Sequence, residues 1–137
     1  MLKANKKILA RLILGMGLMV SAAAVQAMPT LAYIKNNNLY VVNNFRTGEA
    51  KMIAQKVQDY KVATGLVAYR QSNTLFLVKT YDVNSSLLIA QDVQSYQLNS
   101  DMLTYAQKGR LSVVSDIASG NTTSIPVEQD VQDYKTP

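Results

Sequence analysis

Residues 51–78 read KMIAQKVQDYKVATGLVAYRQSNTLFLV, and this stretch decides the fold class. It consists of short segments rich in Val, Ile, Leu and Tyr, separated by turn-forming residues such as Ser72 and Asn73. Short apolar runs interrupted at intervals of about 8–12 residues indicate an all-β repeat fold. Beyond its first 27 residues the chain has no convincing helical periodicity.

The same pattern occurs three times, at an offset of 36 residues. Eight positions are identical in all three copies once two extra residues near Pro126 are allowed for. They are Tyr33/Tyr69/Tyr105, Leu39/Leu75/Leu111, Val42/Val78/Val114, Ile53/Ile89/Ile125, Gln55/Gln91/Gln129, Val57/Val93/Val131, Gln58/Gln94/Gln132 and Tyr60/Tyr96/Tyr134. The sequence therefore predicts three four-stranded repeats, over about 31–66, 67–102 and 103–137.

The copy from Val93 onwards predicts four strands: Val93–Leu98, Met102–Ala106, Leu111–Val114 and Thr122–Ile125. The repeats start at 31–33 on a second strand and end at 131–134 on a first strand. A terminal strand of that kind can complete the opening sheet and remove an exposed edge, as in ring folds. We therefore expect the three repeats to close in a ring.

Lys51–Tyr69, followed by Asn73–Val78, resembles a blade of bacterial β-propellers. The resemblance covers residues 31–135 and implies architecture but no activity. Propellers commonly have four to eight blades, whereas this chain has three repeats. Two closures are compatible with that number: a three-fold body resembling the β-prism of some lectins, or half of a six-bladed propeller completed by a second chain.

Residues 1–27 have the order of a secretory signal peptide. Four basic residues precede the apolar run 12–20, and small residues lead to Ala27. The run is shorter than the 20 or so residues of a membrane span. Without this segment the formal net charge falls from +5 to +1, because 10 basic and 9 acidic residues remain. The sequence predicts an exported domain over 28–137, periplasmic or secreted, with no membrane span after signal cleavage and no nucleic-acid partner.

The chain contains neither Cys nor His. It therefore lacks disulfides, the usual transition-metal ligands and the commonest general base. No pair of carboxylates has a spacing that indicates acid–base chemistry. We expect a domain that is not an enzyme and uses no cofactor or metal.

The repeated glutamines are the first candidate site residues, because polar side chains here repeat as strictly as the core. Their amides either satisfy backbone groups near strand junctions or form three equivalent sites for a sugar hydroxyl or a peptide. A second candidate pair lies in loops 36 residues apart, where apolar side chains can mark a partner surface. The candidates are Gln55, Gln58, Gln91, Gln94, Gln129, Gln132, Phe45 and Tyr81. The repeated tyrosines, by contrast, are expected to be core residues.

These features predict a binding or scaffold domain that recognises another macromolecule or assembles with itself. A carbohydrate-binding module with three equivalent sites is one alternative, and a small subunit of a cell-envelope assembly is another. The partner is a protein or a glycan, and a homodimer is among the assemblies that the pattern allows.

Overall fold

A computed structural model describes residues 29–80 and 82–137, and the expected signal peptide lies outside this part. The described chain is built from three antiparallel sheets that follow one another in sequence. The first sheet has three strands: β1 (Ala32–Lys35), β2 (Asn38–Asn44) and β3 (Glu49–Ala54). The middle sheet has four: β4 (Asp59–Ala63), β5 (Leu66–Gln71), β6 (Thr74–Lys79) and β7 (Asp82–Ala90). The last sheet also has four: β8 (Ser95–Leu98), β9 (Met102–Gln107), β10 (Arg110–Ser115) and β11 (Ile125–Glu128).

Each sheet is a meander in which neighbouring strands are consecutive in the chain. The central hairpins turn through two residues that both have positive φ, for example Ser72 (48°) and Asn73 (65°). This is the geometry of a type I′ turn, whose twist matches that of the strands it joins. Asn37 and Gly109 occupy the matching turns of the other two sheets, also with positive φ. The prediction of an all-β fold is confirmed.

The chain passes from one sheet to the next by a repeated junction. Lys56, Asp92 and Asp130 all have φ between 52° and 56°. The following valine then donates its N–H to the hairpin turn of the sheet just completed: Val57 to the Asn37 carbonyl, Val93 to Asn73 and Val131 to Gly109, each at 2.8 Å. The third junction therefore directs the chain towards the position of a fourth sheet.

Two buried cores hold the three sheets together. One lies between the first and middle sheets and contains Leu39, Val41, Val67, Tyr69 and Val78. The other lies between the middle and last sheets and contains Leu75, Leu77, Leu103, Tyr105, Val114 and Ile117. Within the described residues, neither core joins the first sheet to the last. The expected closure of three repeats within one chain is therefore not seen.

The predicted strands of the last sheet differ from the observed ones at its outer edge. β9 and β10 lie within one residue of their predicted bounds, but the fourth strand was placed three residues too early. The bulge between Leu111 and Ser112 has counterparts in the other two sheets, so the extra residues lie in the connection before Ile125, which contains a 3-10 turn at Ile117–Ser119. Pro126 lies in this edge strand, where a missing N–H is tolerated.

The predicted first strand at 131–134 is not a strand in the structure, and it does not pair with β1 of the same chain. No helix within residues 29–80 and 82–137 is long and apolar enough to cross a membrane. In the same part of the chain, acidic side chains do not gather in a group that could hold a metal ion.

Candidate functional site

The first sheet exposes residues whose counterparts in the other sheets are buried. Leu31 is 50% exposed, whereas Val67, 36 residues later, is 0% exposed. Tyr33 is 38% exposed, whereas Tyr69 is 2% exposed. Within the described residues, the first sheet has no inner strand equivalent to β4 and β8, and no sheet precedes it, which accounts for the difference.

The exposed side chains lie on the face of the first sheet that points away from the middle sheet. Tyr33 stacks on Tyr40 with ring centroids 5.2 Å apart, as Tyr69 stacks on Phe76 at 5.1 Å. In the middle sheet this face packs on the first sheet. In the first sheet it has no covering sheet among the described residues. We call Leu31, Tyr33, Tyr40 and Phe45 the open face.

Phe45, a predicted partner residue, belongs to this open face. It is 49% exposed, whereas its counterpart Ile117 is fully buried between the middle and last sheets. The second predicted loop residue, Tyr81, lies outside the described residues. Leu31 and Ile34 are further exposed apolar residues that the sequence analysis did not select. The sequence contained a signal for this exposure: the first repeat starts on its second strand, which leaves that strand at the edge of its sheet.

The last sheet is incompletely covered on the face that points away from the middle sheet. Leu111 and Val113 are only partly buried. Their counterparts Leu75 and Leu77 are fully buried, because the last sheet packs on them. On the outer strand β11, Ile125 and Val127 are more than half exposed. The row of sheets is therefore open at both ends.

The C-terminal segment lies along the inner strand of the last sheet. Its Tyr134 hydroxyl is 3.2 Å from the Ser95 Oγ, and the Tyr134 carbonyl accepts a 3.0 Å hydrogen bond from the Gln97 amide. The Gln97 Oε1 in turn accepts from the Thr136 N–H at 2.8 Å. Partial burial raises the pKa of Tyr134. These contacts hold residues 131–136 where the inner strand of a following sheet would begin.

The glutamines at the start of β4 and β8 secure the hairpin turn of their own sheet. The Gln58 amide donates to the Asn73 Oδ1 at 3.0 Å, and its Oε1 accepts from the Asn73 N–H at 2.9 Å. The Gln94 Oε1 accepts from the Lys108 N–H in the same way. Gln55 and Gln91 take part through their backbone carbonyls, which accept from the side-chain amides of Gln71 and Gln107.

The last pair of glutamines lines shallow pockets at the end of the row. Gln129 lies with Asp92, Lys108 and Arg110 around a pocket of about 250 Å³. Gln132 lines a second pocket, of about 340 Å³, with Tyr134. The structure therefore spreads the six glutamines over three junctions, and the turn-securing role is seen at two of them.

An ion pair and a phenol join the middle and last sheets at their inner strands. The guanidinium of Arg70 contacts both carboxylate oxygens of Asp59, with Nε 3.0 Å from Oδ1, and its Nη1 reaches the Val93 carbonyl at 2.8 Å. The Tyr96 hydroxyl donates to the Asp59 Oδ1 at 2.8 Å. The Arg70 hydrogen bond lowers the pKa of Asp59, while burial and the Asp59 carboxylate raise the pKa of Tyr96. Both shifts favour the protonation states that keep this network intact, so it works as a fixed cross-link.

Comparison with known proteins yields structural likeness only. No protein-family model matches the chain, and no curated protein matches it. Among solved structures, the N-terminal domain of Nup159 is similar at TM-score 0.55 and 15% identity, over 75% of this chain and 28% of that one. A chain of an S. cerevisiae complex of Dbp5 with Nup159, Gle1, IP6 and ADP is similar at TM-score 0.50 and 16% identity, over 63% of this chain and 24% of that one. Kluyveromyces lactis Hsv2 aligns at TM-score 0.47 and 12% identity, over 75% of this chain and 34% of that one.

The likeness to the first two of these structures shows a propeller-like, all-β architecture. The chain spans about a quarter of the length of the first two matched chains. The similar region therefore corresponds to part of a propeller.

Proposed function

We propose that this protein is an exported, non-enzymatic domain that binds protein through the open face and strand edge of its first sheet. One observation carries the proposal: the residues exposed there are the counterparts of residues that are buried in the other two sheets. Export rests on the signal-peptide pattern of residues 1–27.

A protein partner fits the chemistry of this surface. An unpaired strand edge such as β1 presents N–H and C=O groups that an added strand can satisfy. Tyr33 lies on β1 and Leu31 directly before it, and together with Phe45, in the turn after β2, they supply exposed apolar and aromatic area. Aromatic side chains are enriched at protein interfaces, where their large area stabilises association.

The same geometry supports a protein partner over a glycan. A carbohydrate module with three equivalent sites requires the repeated glutamine amides to be free to contact a sugar. The amide of Gln58 is bonded to Asn73, and the Gln94 oxygen is bonded to Lys108. These hydrogen bonds leave the sites unequal from repeat to repeat.

The test compares two charged substitutions at exposed apolar residues. Tyr33→Glu places a carboxylate on the open face, whereas Leu88→Glu places one on the outer strand of the middle sheet, where Leu88 is 55% exposed. The full chain and each variant are exported from cells, and light scattering on a sizing column gives the mass of the complex that contains the chain. Thermal unfolding confirms that both variants are folded.

We expect the wild type and Leu88→Glu to elute as a complex with a mass larger than that of one chain. Tyr33→Glu should elute with the mass of a single chain. The proposal fails if all three proteins have the mass of a single chain, or if both substitutions reduce the mass of the complex to that of a single chain.

A further inference from the structure

The last residues of the chain repeat the inner strand of the middle sheet. Val57–Lys61 and Val131–Lys135 both read VQDYK. The first copy enters the middle sheet as β4, from Asp59 onwards. The second copy is not paired as a strand within the described residues. Residues 29–80 and 82–137 therefore contain one copy of the inner-strand sequence that is not paired in a sheet and one sheet without an inner strand.

The partners that β4 uses in the middle sheet have counterparts on β1. Tyr60 pairs with Tyr69, and Asp59 pairs with Arg70. The counterparts of Tyr69 and Arg70, 36 residues earlier, are Tyr33 and Ile34, both exposed by more than a third. The same register would pair Tyr134 with Tyr33 and Asp133 with Ile34.

Both residues of the glutamine–turn contact also have counterparts, one at the C-terminal end and one in the first sheet. Gln58 binds the turn residue Asn73, whose counterpart in the first sheet is Asn37. Asn37 has the same φ as Asn73, 65°. Gln132, the counterpart of Gln58, can therefore secure the turn at Asn37 with the hydrogen bonds seen in the middle sheet.

Among the residues that the structure describes, the only strand of the same chain that pairs with β1 is β2. The segment 131–136 is held against the last sheet by the bonds of Val131 and Tyr134 described above. The residues at the upstream offset, Ser21–Val25, read SAAAV and match VQDYK at none of the five positions. A second copy of the chain can supply both missing parts. Its residues 131–135 can provide the inner strand, and its incompletely covered last sheet can pack on the open face.

We infer that residues 131–135 of one copy add as the inner strand to β1 of a second copy, and that the exchange is reciprocal. This rests on the proposed function and names the partner as the protein itself. The last sheet of each copy then covers the open face of the other, as the first sheet covers the equivalent face of the middle sheet. Because each copy contributes three sheets, six is the multiple of three within the four to eight blades that propellers commonly have. Head-to-tail contacts of this kind form a closed ring when the rotation between copies allows it.

The test uses the absence of cysteine from the chain. The double variant Ile34→Cys/Asp133→Cys places one thiol on each side of the inferred pair. Directly opposed residues of an antiparallel pair have Cα atoms about 4.5–5.5 Å apart, within the range of a disulfide. The matched control is Ile34→Cys/Gln132→Cys, because adjacent residues of a strand point to opposite faces. The full chain is exported, oxidised and analysed under denaturing, non-reducing conditions.

We expect the Ile34→Cys/Asp133→Cys chains to form a disulfide-linked dimer that a reducing agent converts to monomer. The control should remain monomeric. Two results would overturn the inference: a bridged monomer, which means that the strand is donated within one chain, or a monomer with both thiols free. If either occurs while the wild-type complex still depends on Tyr33, the proposed protein-binding function stands and the partner is another protein. If the complex does not depend on Tyr33, the proposed function itself fails.

Discussion

The first and middle sheets are built from the same repeat, yet their equivalent residues have opposite environments. The middle sheet has four strands and packs against a sheet on each face. The first sheet has three strands and one packed face, so that Tyr33 is exposed where Tyr69 is buried. In a repeat protein each unit is stabilised mainly by its neighbours. The comparison shows that a repeated residue is a core residue only when the next unit is present.

The largest effect is expected from a pair of leucines 72 residues apart. Leu103 is fully buried and Leu31 is half-exposed. Leu103→Ala should lower the free energy of unfolding by about 2–5 kcal/mol at every protein concentration, because it leaves a cavity. Leu31→Ala should cost much less in dilute protein, and its cost should grow with protein concentration if association buries the side chain. Urea unfolding at two concentrations measures both, and equal costs would contradict the difference between the sheets.

A smaller effect on the free energy of unfolding is expected at the aspartates of the two VQDYK segments, because their side-chain contacts differ. Asp59→Ala breaks the network with Arg70 and Tyr96 and should cost about 1–3 kcal/mol, because the carboxylate is partly exposed. Asp133, its counterpart, forms an ion pair with Lys135 in which both side chains are exposed. Asp133→Ala should leave the unfolding of dilute protein unchanged. A large loss in Asp133→Ala, or none in Asp59→Ala, would show that the two segments do not differ in this way.

The Asp59 contribution should also depend on pH. Because the pKa of Asp59 is lowered in the folded chain, its stabilisation is present above its ordinary value of about 4. It is lost as the pH falls through the lowered value, when the folded carboxylate takes up its proton. The difference in unfolding free energy between wild type and Asp59→Ala should therefore narrow below about pH 4. A constant difference down to strongly acidic pH would contradict the assigned role of the ion pair.

The smallest effect concerns the repeated glutamines. Gln58→Ala removes the amide that secures the turn at Asn73 and should cost about 1 kcal/mol. Gln132→Ala should not alter thermal unfolding in dilute protein, but should weaken self-association, because its inferred turn partner is in the second copy. Glycan binding that disappears when one glutamine of each repeat is replaced would instead favour the carbohydrate module.

Much of the fold follows from local residue patterns. The turn residues Lys108 and Gly109 separate the end of β9 from the start of β10, and the alternation of short apolar runs with turn residues predicted the all-β class. The position of β11 was not predicted, because the sequence pattern placed the two extra residues near Pro126, whereas the structure has them before Ile125, in the connection that contains the 3-10 turn at Ile117–Ser119. The exposure of Tyr33 was also missed, because it depends on a neighbouring sheet and not on the residue itself.

The glutamines illustrate the same limit at the candidate site. Their strict spacing indicated a fixed role, and the structure identifies the turn that Gln58 secures. The pattern alone could not separate Gln58 from Gln132, because their immediate sequences are identical over VQDYK. Which of them lies beside its turn depends on the number of sheets in the chain.

The mass of the exported protein in solution tests the central claim, that the open first sheet is completed by a second copy. Light scattering on a sizing column gives this mass, and mass spectrometry of the same sample gives the mass of one chain. The account predicts twice the mass of one chain, falling to a single chain for Tyr33→Glu but not for Leu88→Glu. A single-chain mass for the wild type at every concentration would contradict it.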